Sequence, residues 1–123
     1  MEASPNGATR RARQRALTIS VAPDVAQLAE LRELLRTAGV AVAGEMVQRR
    51  ERPDPDRYFG RGKLGELRQA AKDADANLIA VDDELLPRQE RNLEEELGIP
   101  VIDRTAIILD IFAGHAHTAE GKL

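Results

Sequence analysis

The sequence predicts an α/β fold: a four-stranded, mainly parallel sheet with helices on both faces, built as a β-α unit repeated four times in a single domain. Three observations carry this. Short apolar runs alternate four times with segments of helical spacing, which is the order of a parallel sheet covered by crossover helices. The strand-like runs are almost wholly apolar instead of half polar, as strands buried on both faces are. The apolar residues are Ala, Val, Leu and Ile with three aromatics, Tyr58, Phe59 and Phe112, a composition suited to helices packed on a sheet. At 123 residues the chain has room for one modest core without metal or disulfide staples.

Each element has a local reason. The first residues, rich in Ala, Ser, Pro, Asn and Gly, bury too little to offset ordering, so 1–14 read as a disordered basic tail. "ALTISVA" reads as a strand, and Pro23 and Asp24 suit the first turn of the helix that follows, in which Val25, Leu28, Leu31 and Leu35 share a face. Gly39 ends that helix where a left-handed backbone favours glycine, and "VAVAGEMV" is the second strand. From Gln48 to Arg57 the chain turns to Arg, Glu, Pro and Asp, and "PDPD" at 53–56 forbids a regular ladder, so a surface loop separates two halves. Leu64, Leu67, Ala70, Ala71 and Ala74 predict a helix over 63–75, and "NLIAVDD" a third strand. "LPRQERNLEEELG" is a helix opened by Pro87 and closed by Gly98, with Leu86, Leu93 and Leu97 expected inward. "IPVID" is the fourth strand. Asp103 caps a last helix whose Ile107, Ile108, Ile111 and Phe112 form one broad apolar face.

The absence of cysteine excludes disulfides, zinc-thiolate sites and thiol catalysis. The longest apolar run is well short of the roughly 18–20 residues that span a bilayer, and the N-terminus lacks a secretory apolar core, so a cytoplasmic location is expected. The net charge of −3 hides a segregation. Residues 1–22 and 48–63 each carry +3, while 77–98 carry −5, so a basic and an acidic side result if the fold separates these segments.

"RYFGRGK" at 57–63 is the stretch with chemical promise. It is not a Walker A loop, since the spacing and the hydroxyl that pattern needs are missing. Gly60, Gly62 and Gly65 match G-x-G-x-x-G, with Asp82 and Asp83 about 20 residues on, but a proline-broken loop precedes them instead of a strand. The structural reading is a tight helix entry at Gly60 and Gly62, with Tyr58 and Phe59 packing the loop onto the sheet. The functional reading is an anion site at a helix start flanked by Arg61 and Lys63, with Gly60, Gly62 and Lys63 as candidate phosphate-binding residues and RNA backbone preferred over nucleotide. Arg49, Arg50, Arg52, Arg57, Arg61 and Lys63 are the candidate nucleic-acid contacts. Asp82, Asp83 and Glu84 read as a strand end, because neighbours in an extended segment diverge; His115 and His117, near Asp110 and Glu120, are an i, i+2 pair that does not share a helix face. No metal site and no catalytic residues are assigned.

"YFGRGKLGEL" and "ANLIAVDDELLPRQERNLEEELGIPVIDRTAIILDIFAGHAHTAEGKL" together resemble the N-terminal domain of HflX-type ribosome-associated GTPases. The resemblance runs over Leu17–Leu123 and is strong from Tyr58, where Asp82–Leu85, Pro87, Gln89, Arg91–Leu93, Asp103–Thr105 and Leu109–Phe112 fall in register. His115 and His117 stand where that family often has arginine. The resemblance implies a domain over 15–117 and, at 118–123, the start of a helical hairpin, the chain reading as a fragment of a longer parent. It implies a parent GTP hydrolase that uses GTP and Mg²⁺ and binds the large ribosomal subunit, splitting or rescuing ribosomes. This part would face rRNA and orient the parent's GTPase domain, with no cofactor of its own. The alternative it leaves open is ATP binding or hydrolysis by the N-terminal domain through the Gly60–Lys63 turn.

Overall fold

The computed structural model describes residues 14–22 and 28–120, with side chains to residue 113. Four strands, β1 (Arg15–Ala22), β2 (Ala41–Arg49), β3 (Leu78–Val81) and β4 (Val101–Asp103), alternate with four helices, α1 (Leu28–Thr37), α2 (Leu64–Asp73), α3 (Pro87–Leu97) and α4 (Arg104–Glu120). The strands form one sheet in the order β2-β1-β3-β4, parallel throughout, as the apolar strand runs predict. Residues 1–13 of the tail and Pro23–Val25 lie outside the described residues. The helix expected over 63–75 is a 3₁₀ turn, Arg61–Lys63, followed by α2, and β2 runs on to Arg49. The boundary expected between 117 and 118 falls within α4.

β1 is central and buried nearly end to end, so its two faces anchor two cores. Leu17, Ile19 and Val21 point to one face, with Ile79 and Val81 of β3, Leu64 and Leu67 of α2 and Leu93 of α3. Ala16 lies on the other, with Leu78 and Ala80, under Leu28, Leu31 and Leu35 of α1 and Ile107 of α4. Burying a Leu or Ile side chain is worth about 1.5–3 kcal/mol, so these two layers are the principal reason the order of elements becomes a fold. Gly39 (φ +82°) and Gly98 (φ +73°) end α1 and α3 in the left-handed region, as their positions in sequence predict.

Two expectations about apolar faces are corrected. Leu86 is 49% exposed, because it stands just outside α3, where its N–H donates to Gln89 Oε1 (2.8 Å); Leu85 goes inward in its place. Phe112 is 71% exposed, since α4 presents Ile107 to the sheet and Phe112 sits nearly half a turn around the helix from it.

Candidate nucleic-acid interface

The loop between β2 and α2 is held from below by its two aromatics. Tyr58 and Phe59 are both buried, with stacked rings 6.0 Å apart, and pack with Leu17, Ile19 and Val21. Tyr58 also does a backbone's work. β3 pairs with β1 up to Asp82, whose N–H donates to Ile19 O (2.9 Å); two residues on, the Val21 N–H donates to Tyr58 Oη (2.9 Å). The Tyr58 hydroxyl in turn donates to Asp83 Oδ2 (2.5 Å). Burial and the neighbouring Asp83 carboxylate both push the phenol pKa up, so this group stays a protonated donor. Tyr58 has φ +70°, uncommon for a bulky side chain, and the contacts of its ring and hydroxyl hold it there.

Two of the loop's three acids, Asp54 and Asp56, are consumed in building it, while Glu51 stays exposed. Asp54 and Tyr58 exchange two backbone hydrogen bonds of 2.9 Å, and Asp54 Oδ2 accepts from the N–H groups of Asp56 (3.1 Å) and Arg57 (2.8 Å). The first turns of α3 brace the outside. Arg88 pairs with Asp56 (3.1 Å), Gln89 Nε2 donates to Asp54 O (2.9 Å), and Asn92 Nδ2 donates to Asp56 O (2.8 Å). The acidic segment is therefore not opposite the basic one: the start of α3 grips the loop, and Glu94–Glu96 lie towards the far end of that helix. No spacing rule in the sequence identifies Arg88, Gln89 and Asn92 as a brace; the one available signal is that all three lie on the helix that the loop must pass.

What remains is positive charge without acid partners. Arg15, Arg32, Arg36, Arg68, Arg88 and Arg104 each pair with a carboxylate. Among the described residues no ion pair engages Arg49, Arg50, Arg52, Arg57 or Arg61, of which all but Arg57 are well exposed. Arg50 is steered by its own loop: Nε donates to Arg52 O (3.1 Å), and Nη1 lies 2.6 Å from where a Cβ on Gly60 would stand. The structure therefore brings Arg50 beside the Gly60–Arg61 turn.

The candidate phosphate cradle is already engaged at two points. The Gly60 N–H donates to Gln48 Oε1 (2.7 Å), and Lys63 pairs with Glu66 (3.0 Å). Gly62 is different, being exposed, with no atom within 4 Å of a Cβ built on it and no positive φ. Nothing in the fold requires glycine at 62. In an open parallel sheet of this order the ligand crevice lies beyond the C-terminal ends of β1 and β3, where the crossovers diverge. There the Tyr58 hydroxyl bridges Val21 and Asp83 across the gap, so the position a nucleotide would use in a doubly wound fold holds a tyrosine.

Asp82, Asp83 and Glu84 diverge as an extended segment should. Asp82 is buried against Arg104 (2.7 Å), whose other amino group pairs with Glu30 of α1 (3.1 Å). Burial pushes the Asp82 pKa up and Arg104 pulls against it, the burial being the larger effect. Glu84 is exposed. Among the described residues no three His, Asp or Glu are grouped to hold a metal ion; the side chains of His115 and His117 lie outside them. A groove of about 670 Å³ opens at the other end of the sheet, between Leu35, Val40, Leu78 and Ile102, remote from the arginines.

A sequence profile of the family described as "GTP-binding GTPase N-terminal" matches residues 25–113. The chain belongs to that family. Its relatives include the GTPase HflX of Lacrimispora saccharolytica, 49% identical over 96 residues, and that of Escherichia coli, 43% identical over 100 residues. These alignments take in 78% and 81% of this chain and 23% and 24% of the relatives, so this HflX-type domain spans about a quarter of the length of the proteins it matches. Among solved structures, the crystal structure of SsGBP with GDP superposes with a TM-score of 0.63 over 84% of this chain and 30% of its own. A GTP-binding protein from Sulfolobus solfataricus in complex with GDP superposes with a TM-score of 0.59 over 78% and 30%. Both are 24% identical to this chain and speak for the fold alone.

Proposed function

We propose that this chain is the rRNA-facing, domain-orienting N-terminal module of an HflX-like GTPase, a cytoplasmic protein that binds the large ribosomal subunit and splits or rescues ribosomes. In this reading GTP and Mg²⁺ belong to the parent's GTPase domain, and the present module supplies no catalytic group. The observation that carries it is the set of arginines at 49, 50, 52, 57 and 61 that no ion pair engages, held on a loop whose Asp54 and Asp56 carboxylates are tied up by backbone and by Arg88, with Glu51 left exposed. A cationic edge of that kind suits a phosphate backbone: it gains affinity by releasing counterions and reads no sequence. No observation favours ATP at the Gly60–Lys63 turn, where the Gly60 amide and the Lys63 ammonium are occupied by Gln48 and Glu66. Among the described residues no helix is long and apolar enough to cross a membrane.

The test is binding of large subunits by the GTPase that carries this domain, wild type against an Arg49→Ala, Arg50→Ala, Arg52→Ala triple variant, across a salt series. Each arginine–phosphate pairing removed should flatten the log–log salt dependence by about 0.7–0.9. An unchanged affinity and slope would remove the loop from the interface.

Gly62 provides a charge-neutral companion test. In the domain alone, Gly62→Ala should leave the unfolding free energy measured in urea within about 0.5 kcal/mol of wild type, as an exposed position with room for a methyl group does. If RNA backbone approaches this turn closely, Gly62→Val weakens binding without altering the salt slope. A Gly62→Val protein that binds as wild type does would mean the turn stands clear of the RNA.

A further inference from the structure

The groove of about 670 Å³ lies at the N-terminal end of the sheet, where the proposed function uses nothing. Its volume falls within the roughly 300–1,000 Å³ of small-molecule sites. Its walls are apolar: Leu35 of α1, Val40 just before β2, Leu78 of β3, Ile102 of β4 and Ile107 of α4. Two features give it a negative potential. In a β-α repeat each helix ends where the next strand begins, and a helix C-terminus carries about half a unit of negative charge. Helix α1 ends at Thr37, and Ala38 and Gly39, which follow it, line the groove. The second feature is the Asp110 carboxylate, which also lines the groove, is exposed, and among the described residues is engaged by no ion pair. No lysine or arginine lines it; Arg36, in the last turn of α1, pairs with Glu33 instead (3.6 Å).

We infer that this groove is a binding site for a small organic cation, a primary ammonium on an apolar stem, with the stem against the aliphatic walls and the ammonium at Asp110. Charge and donor chemistry decide between occupants. An anion would meet both the carboxylate and the helix end with like charge. A bare divalent ion wants about six or more oxygen ligands, and Asp110 is the one carboxylate in the lining. A quaternary ammonium is held by aromatic faces, and no aromatic side chain lines the groove. A primary ammonium brings N–H donors, which a carboxylate and the side-chain oxygen of Gln14, also in the lining, can accept. The site is separate from the basic loop, because Arg49 closes β2 at the opposite end of the parallel sheet.

Amide chemical shifts of the 123-residue chain, titrated with phenylbutylammonium and with the matched phenylbutanol and phenylbutyrate, test it. The amides of Gly39, Val40, Leu78 and Ala106 should shift and saturate at millimolar ammonium. The ammonium should bind about threefold to fivefold more tightly than the alcohol, the most an exposed ion pair supplies, and the carboxylate most weakly. Asp110→Asn should erase the advantage of the ammonium while leaving the affinity for the alcohol and the melting temperature unchanged, since Asp110 is exposed. Absence of shifts at these amides overturns the inference, as does equal binding of ammonium and alcohol by the wild type, or an advantage that survives Asp110→Asn. Shifts at the same amides that grow with protein concentration alone would give the groove to a second copy and overturn it too. Ribosome binding by the arginine triple variant reports on the basic loop alone, so the two proposals fail separately.

Discussion

Tyr58→Ala is expected to be the most damaging single substitution in the domain, costing about 3–5 kcal/mol in urea unfolding, as removal of a fully buried ring does. The loss has separable parts. Tyr58→Phe keeps the ring and removes the hydroxyl, which leaves the Val21 N–H without an acceptor and Asp83 without its donor. A buried group left unsatisfied costs about 1–3 kcal/mol, so the phenylalanine variant should recover roughly half of the alanine loss. The functional consequence follows from position. Tyr58 is the loop's anchor, so Tyr58→Ala should speed amide exchange through 50–60 and, under the function proposed above, weaken large-subunit binding although no charge has been removed. A Tyr58→Ala domain as stable as wild type would show that the loop is not held by this ring.

Arg104→Met is the second large effect and it carries a pH signature. Asp82 is 1% exposed and Arg104 is its cationic partner at 2.7 Å. Removing one partner of a buried pair strands the other charge at about 3–5 kcal/mol; Arg104 is itself 30% exposed, so about 3 kcal/mol at pH 7 is expected. The exposed Glu30 contact adds little. The sign follows from the direction of the shift. Burial already raises the Asp82 pKa in the fold, so its contribution to stability is greatest below the unfolded carboxyl value of about 3.9 and declines as pH rises through the folded value. Without Arg104, which pulls that value down, the folded pKa climbs further and the decline extends to higher pH. The stability difference between variant and wild type should therefore shrink as pH falls toward 4, and Asp82→Asn in the Arg104→Met background should recover part of it at pH 7. A deficit that is the same at every pH would mean that the lost packing of the arginine stem, and not the stranded carboxylate, is responsible.

Local rules carry the reading of the chain a long way. Gly39 and Gly98 are legible as helix ends because a left-handed residue at that point is a backbone requirement, and both have positive φ. Asp103 is legible as a cap because one side-chain oxygen reaches an amide three residues on, and Oδ1 accepts from Ala106 N (2.9 Å); that Oδ2 also accepts from Leu85 N (2.9 Å) is not, since Leu85 lies 18 residues away. Phe112 and Leu86 depart from expectation for a related reason. Helical spacing tells which residues share a face but not how far round the neighbouring sheet will reach, and here the sheet reaches Ile107 and stops short of Phe112.

The sequence by itself determined the α/β alternation, the parallel sense of the sheet, the family to which the chain belongs and the positive charge of residues 49–63. Only the tertiary structure decided the order β2-β1-β3-β4, the tyrosine bridging the β1–β3 gap, and which charges remain unpaired. The physical reason is one of range. Periodicity, caps and net charge are set by residues within a turn or two of each other. Whether an arginine of one element meets a carboxylate of another depends on residues tens of positions apart, and Asp56 of the loop is paired by Arg88 of α3, 32 residues on.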